Sequence, residues 1–201
     1  MQLKRLPLLI IACAAVGTAT ATLAGCGKTV VREDPKTVID LSGNWNDIDS
    51  QQVADAMIAK SMLSPWADNF IAAHKKNPTV KVGRVVVRTD GDVINTEIFT
   101  NDLVRAFISS GKVDVVASSG DTDQTRAERA DQDKNASETT RKESFQEQGS
   151  DFLLTGTIGV QNDQEGGKQV KFYSVDLSLT DIQSQKKVWM DNKKIKKFIN
   201  R

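Results

Sequence analysis

The chain opens with a segment that a secretory pathway would remove, and this segment decides which residues remain to fold. Lys4 and Arg5 are followed by an uncharged stretch from Leu6 to Leu23 that is rich in Leu, Ile, Ala and Val. A basic start, an apolar run and small residues before a cut site are typical of a signal peptide. Pro and Gly interrupt the run, which makes it a poor permanent membrane helix of the roughly 20 apolar residues required. We therefore expect residues 1–25 to be absent from the mature protein.

The end of this stretch forms a lipid-attachment motif. Leu23-Ala24-Gly25-Cys26 resembles the bacterial lipobox, in which the peptidase cuts before the Cys, here between Gly25 and Cys26. The Cys26 thiol would then carry acyl chains, palmitate among them. Because one chain gives only marginal membrane binding, bacterial lipoproteins of this type carry three. Gly27 follows where Asp would favour retention in the inner membrane, so the motif predicts an outer-membrane protein that faces the periplasm.

The mature chain is nearly neutral and has no cysteine left for chemistry. Cleavage leaves 176 of the 201 residues and removes two of the 27 bases but no acid, so 25 bases face 26 acids. This balance gives no argument for binding to a nucleic acid. Cys13 is removed and Cys26 is the anchor, which excludes disulfides, zinc–thiolate sites and cysteine nucleophiles in the domain. The single histidine, His74, is interpreted as a cation at a helix C-terminus, so we predict neither an enzyme nor a metal or cofactor site.

Residues 37–201 are predicted to form one α+β domain after a short tether, residues 26–36. The spacing of apolar residues predicts a central mixed sheet flanked by helices and closed by a C-terminal antiparallel meander. The predicted strands are residues 37–40, 79–89 (with Val85–Val87 buried on both faces), 113–117, 152–160, 170–179 and 187–190, with a hairpin turn at 165–167. The predicted helices are residues 49–63, capped by Asp49 or Ser50, a second that restarts at Ser64-Pro65, and a third over 96–110 that Gly111 ends.

A run of 24 residues from Asp121 to Ser144 contains no large apolar side chain. Its composition predicts that the run is helical and lies on the surface, either as one helix or as two helices separated by a break near residues 135–137. Phe145 is predicted to return the chain to the core. Four of its polar side chains are candidate partner-binding groups: Arg126, Arg129, Gln132 and Asn135. The alternative is a solvated helix with i,i+4 ion pairs such as Arg129 with Asp133. Because so little of this stretch can be buried, specific pairing would have to hold the two arginines.

The segment from Asp40 to Asp49 is rich in Asp and Asn. Its oxygen-bearing side chains do not match the spacing of a calcium loop, and Asp and Asn are common in turns, so no metal site is predicted there. Trp45 is either a lid on the core or an exposed anchor of the kind found in interface hot spots. Trp45 and Asn46 are therefore candidate partner-binding residues. The Lys-rich stretch 193–197 either contacts an anionic surface or protects a strand edge.

Four stretches, taken in their order and spacing, resemble one family. They are D-L-S-G-N-W-N-D (Asp40 to Asp47), F-T-N-D-L-V-R-A-F-I-S-S-G-K-V (Phe99 to Val113), R-A-E-R-A-D-Q-D-K-N-A-S (Arg126 to Ser137) and D-F-L-L-T-G-T-I (Asp151 to Ile158), with Ile195 to Lys197 near the end. They are similar to the LpoB family of outer-membrane lipoproteins that activate penicillin-binding proteins. The resemblance implies a fold similar to the N-terminal domain of TolB. It also implies a non-enzymatic role, in which the protein crosses the peptidoglycan, docks on a class A penicillin-binding protein and stimulates peptidoglycan synthesis.

The tether is the point at which the chain departs from that family. The relatives carry a long Pro-rich linker, whereas residues 27–36 here span at most about 35 Å when fully extended. An alternative function is therefore a structural or assembly lipoprotein of the outer membrane, with a TolB-like or curli-accessory-like domain. A third, a hydrolase, would use Asp40, Asp47 and Asp49 as acid and base, although no difference between their environments is visible in the sequence.

Overall fold

The computed structural model describes residues 28–89 and 91–200, which contain four helices and five strands. The helices are α1 (Asp47–Leu63), α2 (Trp66–His74), α3 (Thr96–Ser110) and α4 (Ser119–Asn135). The strands are β1 (Thr79–Arg88), β2 (Asp114–Val115), β3 (Phe152–Glu165), β4 (Lys168–Asp181) and β5 (Lys187–Asn200). The helices and strands all lie in one compact unit that begins at Lys36. None of the described helices has the length and apolar character needed to cross a membrane.

The strands form one mixed sheet in the order β2-β1-β3-β4-β5. β1 is parallel to both of its neighbours, β2 and β3, and β3, β4 and β5 form an antiparallel meander. The turn between β3 and β4 is made by Gly166 and Gly167, whose φ angles of 54° and 80° are the left-handed values that glycine adopts without strain. The predicted α+β class, the mixed sheet and this hairpin are confirmed.

Helices α1 and α3 pack against each other and against one face of the sheet. Along β4, Tyr173, Val175 and Leu177 are fully buried under the helices, whereas Ser174 and Asp176 between them point to the opposite side and stay partly exposed. This alternation is the period of two that a strand with one buried face requires. We call the side opposite α1 and α3 the open face. The segment 146–150 approaches it at one end of β1, where the Gln148 amide donates to the Thr79 hydroxyl at 2.8 Å.

The middle of the chain follows the predicted pattern closely. α3 has the predicted bounds: Asn95 Oδ1 accepts from the backbone N–H groups of Glu97 and Ile98, and Gly111 ends the helix with φ of 66°. α2 follows Pro65 and ends at His74, whose ring stacks on Phe70 at 4.2 Å between centroids. A capping side chain at the start and a glycine at the end are the signals that make such a helix readable from sequence.

Several predicted elements in the first half are wrong. Residues 37–40 form no strand, because the segment is exposed and is held by side-chain contacts rather than by a neighbouring strand. α1 begins at Asp47, and Asn46 caps it in a capping box with Asp49, so the predicted caps were placed three or four residues too late. Val86 is 41% exposed because it lies on the open face, so β1 is buried on one side only. β2 is two residues long instead of five.

The polar run and the strands after it also differ from the prediction. α4 is a single helix, capped by Ser118 and Asp121, and no second helix follows it. Phe145 is 99% exposed, with a φ of 64°, and does not return to the core, because the segment around it is held by ion pairs and not by apolar packing. β3, β4 and β5 each extend over 14 residues, since backbone pairing carries the meander beyond the apolar positions that sequence periodicity detects.

Candidate partner-binding surfaces

Two buried lysines lie directly opposite each other on β4 and β5, on the face covered by the helices. Lys171 pairs with Lys197 in the strand register, and the side chain of each is only 9% exposed. Like charges placed side by side on neighbouring strands are destabilising unless acids neutralise them. The acids come from two segments distant in sequence from the lysines: Asp40 and Asp49 lie before and at the start of α1, and Asp92 lies between β1 and α3. We call these five residues, with Asn44, the lysine clasp.

Lys197 holds the segment before α1 in place. Its Nζ lies 2.6 Å from Asp40 Oδ1 and 2.6 Å from Asp49 Oδ2, and it donates to the Asn44 carbonyl at 3.1 Å. Burial acts against the charged ammonium, but the hydrogen bonds to Asp40 and Asp49 outweigh it and raise the pKa of Lys197. The lysine therefore keeps its charge inside the fold, and the segment is fixed to the last strand.

Lys171 makes the second half of the clasp. Its Nζ bonds Asp92 Oδ1 at 2.7 Å and also the side-chain oxygen of Asn44. The Tyr173 hydroxyl donates to Asp92 Oδ2 at 2.7 Å and lies 3.1 Å from the Gly43 carbonyl. Burial raises the pKa of Tyr173, and the bond to Asp92 raises it further; burial opposes ionisation of Asp92, but the bonds from Lys171 and Tyr173 lower its pKa overall. Asp92 is therefore ionised and Tyr173 neutral at neutral pH, so the arrangement suits a structural role.

Trp45 and Asn46, two of the predicted partner-binding residues, lie beside the clasp. The Trp45 indole N–H donates to Ser50 Oγ at 2.7 Å, and its ring meets those of Phe99 and Tyr173 edge to face, at 6.0 and 5.6 Å. Asn46 caps α1, and its amide donates to Asp40 Oδ1 at 2.8 Å. The contacts favour the interpretation of Trp45 as a lid on the core. Partner binding by this pair stays a prediction, and the lipid-attachment residues Gly25 and Cys26 lie outside the described residues.

Arg126 and Arg129, the predicted arginines of the polar run, converge on one carboxylate. Arg126 Nε and Nη2 donate to the two oxygens of Glu147, each at 2.9 Å, and Arg129 Nη1 donates to Oε1 at 3.1 Å. The hydrogen bond from Arg126 is the main cause that lowers the pKa of Glu147. Specific pairing does hold the two arginines, as expected, but the predicted ion pair of Arg129 with Asp133 is absent from the described contacts of α4. Asp133 instead lies 3.8 Å from Arg141.

The remaining two predicted residues lie farther along α4. The Gln132 amide donates to Glu128 at 3.0 Å, and its oxygen accepts from the backbone N–H of Lys142 at 3.2 Å. The Asn135 amide donates to Asp131 at 2.9 Å. No residue of α4 is buried, so this helix lies outside the apolar core, and the hydrogen bonds and ion pairs described above tie it to the segment that follows.

A groove of about 530 Å³ separates α4 from the segment 146–150. Arg126 and Arg129 lie along one side of it, and Lys81 of β1 contributes a third cation. The predicted site residues therefore fall into two groups, one at the groove and along α4, the other beside the lysine clasp. Sequence reasoning missed Glu147 and the two buried lysines. One sequence signal could have indicated that Lys171 is buried. Residues alternate between the two faces of β4, so Lys171 must lie on the same face as Tyr173 and Val175.

The Lys-rich stretch at 193–197 is divided between the two faces of the sheet. Lys194 and Lys196 are exposed on the open face, and Lys197 is buried in the clasp. β5 is an edge strand, which is where lysines protect a sheet against pairing with another chain. Both of the predicted roles, edge protection and contact with an anionic surface, remain compatible with Lys194 and Lys196.

The sequence matches the family model described as peptidoglycan-synthase activator LpoB over residues 49–195. Among solved structures, it is similar to the LpoB C-terminal domain from Salmonella enterica, with 14% identity, a TM-score of 0.43 and coverage of 73% of this chain and 98% of that one. The corresponding domain from Escherichia coli gives 15% identity, a TM-score of 0.42 and the same coverage of both chains. No curated protein is similar enough to count as a relative. The matched residues run from α1 into β5 and make up well over half of the sequence, so this chain belongs to the LpoB family of peptidoglycan-synthase activators.

Proposed function

We propose that this protein is a lipid-anchored outer-membrane protein that binds and activates a class A penicillin-binding protein and so regulates peptidoglycan synthesis. The observation that carries the proposal is the family match over residues 49–195, which contains three of the four helices, all but the first two residues of α1, and most of the sheet. The matched helices and strands carry the outer surfaces of the domain, which are where a partner protein would bind. An activator needs such a surface and does not need a catalytic site of its own.

The protein acts, in this proposal, by binding and not by catalysis. Two of the three acids that could serve as acid and base are used inside the fold: Asp40 and Asp49 hold Lys197, whereas Asp47 is exposed at the start of α1. No group of His, Cys, Asp or Glu side chains in the described part of the chain could hold a metal ion. A hydrolase would need two carboxyl groups in contrasting environments facing a cleft. The carboxylates at the clasp face lysines instead.

The anchor places the domain at the membrane in this proposal. Acylated Cys26 would hold it within the reach of residues 27–36, about 35 Å at full extension. A short linker raises the effective concentration of the domain near its partner toward the millimolar range. The partner must then bring its docking surface to within that distance of the outer membrane.

Direct measurement of synthase activity tests the proposal. The purified mature protein, added in detergent to a class A penicillin-binding protein of the same organism with lipid-linked precursor, is expected to increase the rate of glycan polymerisation. The Cys26→Ser protein is the control, because it keeps the whole domain and lacks the acyl chains, although the lipoprotein peptidase should also leave residues 1–25 attached to it. It should stimulate the enzyme equally in detergent and fail to support growth in cells that depend on the activator. An unchanged polymerisation rate with every class A synthase of the organism would refute the proposal.

The short tether favours a second candidate, an assembly lipoprotein of the outer membrane, because such a protein has no need to reach the inner membrane. Light scattering after size-exclusion chromatography separates the two. A large, stable oligomer of the mature protein favours assembly, and a monomer favours the activator.

A further inference from the structure

The open face of the sheet carries more basic than acidic side chains among the described residues. Apart from Lys81 at the groove and Lys168 at the hairpin tip, five basic residues point to this side, two from β1 and three from β5: Arg84, Arg88, Lys187, Lys194 and Lys196. All five are exposed, and none forms an ion pair with any of residues 28–89 or 91–200. Among the described strand residues, the acids on this face are Asp163 and Asp176, Glu165 opposite Lys168 at the hairpin tip, and Asp114 of β2 beside Thr79. Because the whole chain is close to neutral, this excess is a local feature of one surface.

The cations form two rows with a recess between them. β1 and β5 are separated by β3 and β4, that is by three strand spacings, or about 14 Å. Between the rows the strands present short side chains, such as Thr155, Thr157 and Ser178, and a depression of about 420 Å³ lies there between Arg84 and Met190. The width matches an α-helix, whose diameter with side chains is about 10–12 Å.

Apolar side chains on the same face give it the character of a protein interface. Val86 is 41% exposed, Met190 60% and Phe198 64%. Phe172 and Val170 line a second depression of about 460 Å³ next to Lys196. Exposed apolar groups within a rim of polar and charged residues are typical of interaction sites on soluble domains.

We propose that the open face is the docking surface for an acidic, partly apolar segment of the synthase partner, of the width of a single helix. The inference rests on the function proposed above and adds to it the face and the charge of the partner. Acidic side chains along both edges of the segment would pair with the rows on β1 and β5, while its apolar side chains meet Val86, Met190 and Phe198. A flat anionic lipid surface fits less well, because the recess between the rows would remain unfilled.

Charge reversal on each row tests the proposal with the mature protein in detergent and the purified class A synthase. The variants are Arg84→Glu/Arg88→Glu and Lys194→Glu/Lys196→Glu, with Lys134→Glu/Lys142→Glu near α4 as a control of equal charge. Each open-face variant should raise the Kd for the synthase about tenfold, since two attractive contacts become repulsive, and the control should change it less than about twofold. Affinity of the unaltered protein should fall as salt is raised. Thermal unfolding confirms that every variant is folded.

The outcomes separate this inference from the proposed function. If the unaltered protein does not bind any class A synthase, both are wrong. If it binds and the open-face variants bind equally well, only the inference is wrong, and a loss of binding confined to the Lys134→Glu/Lys142→Glu variant moves the docking surface to α4. A parallel measurement uses vesicles in which about one-third of the phospholipid is anionic. If the open-face variants no longer bind the vesicles but keep their affinity for the synthase, the open face binds lipid and the inference is wrong.

Discussion

Replacement of Lys197 by Met should destabilise the domain strongly, because it removes the only cation that Asp49 contacts among the described residues. Met is apolar and of similar length, so the change deletes a charge and leaves the space filled. Two ion pairs, each of 2.6 Å, and the bond to the Asn44 carbonyl are lost together. Asp49, with a side chain that is 9% exposed, would then be a buried carboxylate without a counter-ion.

The size of the effect follows from burial. Removing one partner of a buried ion pair costs about 3–5 kcal/mol, whereas the loss of an exposed pair costs about 0–1 kcal/mol. Asp40 is 44% exposed and can be solvated, so the penalty comes mainly from Asp49, and we expect about 3 kcal/mol. In a domain of this size such a loss lowers the Tm by about 6–12 °C.

Urea unfolding followed by circular dichroism measures this difference. Lys60→Met is the matched control, because Lys60 pairs with Asp191 at 2.9 Å while its side chain is 50% exposed; it should cost less than about 1 kcal/mol. Adding Asp49→Asn to Lys197→Met should recover part of the stability, since the orphaned charge is then removed. The reasoning is refuted if the free energy of unfolding of Lys197→Met lies within about 1 kcal/mol of that of the unaltered protein. It is also refuted if adding Asp49→Asn lowers the free energy of unfolding further.

Three further predictions concern other parts of the fold. Gly156→Ala should destabilise by about 1–3 kcal/mol in the same assay, because the added Cβ would press on the Leu177 side chain and lie 2.7 Å from the Asp176 carbonyl oxygen; an unchanged urea midpoint would contradict this. Glu147→Gln should speed amide hydrogen exchange in α4, which has no buried residue, and leave exchange in α3 as it was; equal acceleration in both helices would show that the pairing supports the whole domain. Asp92, whose pKa is lowered in the fold, stabilises the domain above a pH of about 4 and loses this contribution as the pH falls through its folded pKa, so the urea midpoint of Asp92→Asn should depend less steeply on pH below about 4.

Secondary-structure elements whose ends and periodicity are set by neighbouring residues could be predicted from the sequence. α3 could be placed because Asn95 and Gly111 mark its ends and an apolar stripe with the helical period lies between them. The meander could be placed from alternating residues and a Gly-Gly turn. The start of α1 was misplaced, because several residues near it, Asn46 and Asp49 among them, can all cap a helix, and only the fold decides which one does.

The contacts that hold the candidate surfaces could not be read locally. A lysine within a strand is normally exposed, and only the register of β4 against β5 and the position of the segment before α1 make Lys171 and Lys197 buried. The specific pairing of Arg126 was expected from the lack of apolar residues in α4, but its partner, Glu147, lies 21 residues away in an irregular segment. Phe145 was misjudged for a related reason: an aromatic residue at the end of a polar run suggests burial, and here it is exposed.

The lysine clasp also has a consequence for how the sequence of this protein can change over time. Asp40 and Lys197 are 157 positions apart, and Asn44 and Lys171 are 127 apart, yet each pair shares one contact. Loss of a single lysine leaves a carboxylate stranded, whereas the joint replacement of a lysine and its acid by apolar residues of similar volume is tolerated far better. Substitutions at these positions are therefore expected to occur in pairs along a lineage, and to pass through an unstable intermediate when they do not. In an alignment of homologues, that coupling would be visible as correlated change between the segment before the first helix and the two strands at the far end of the chain.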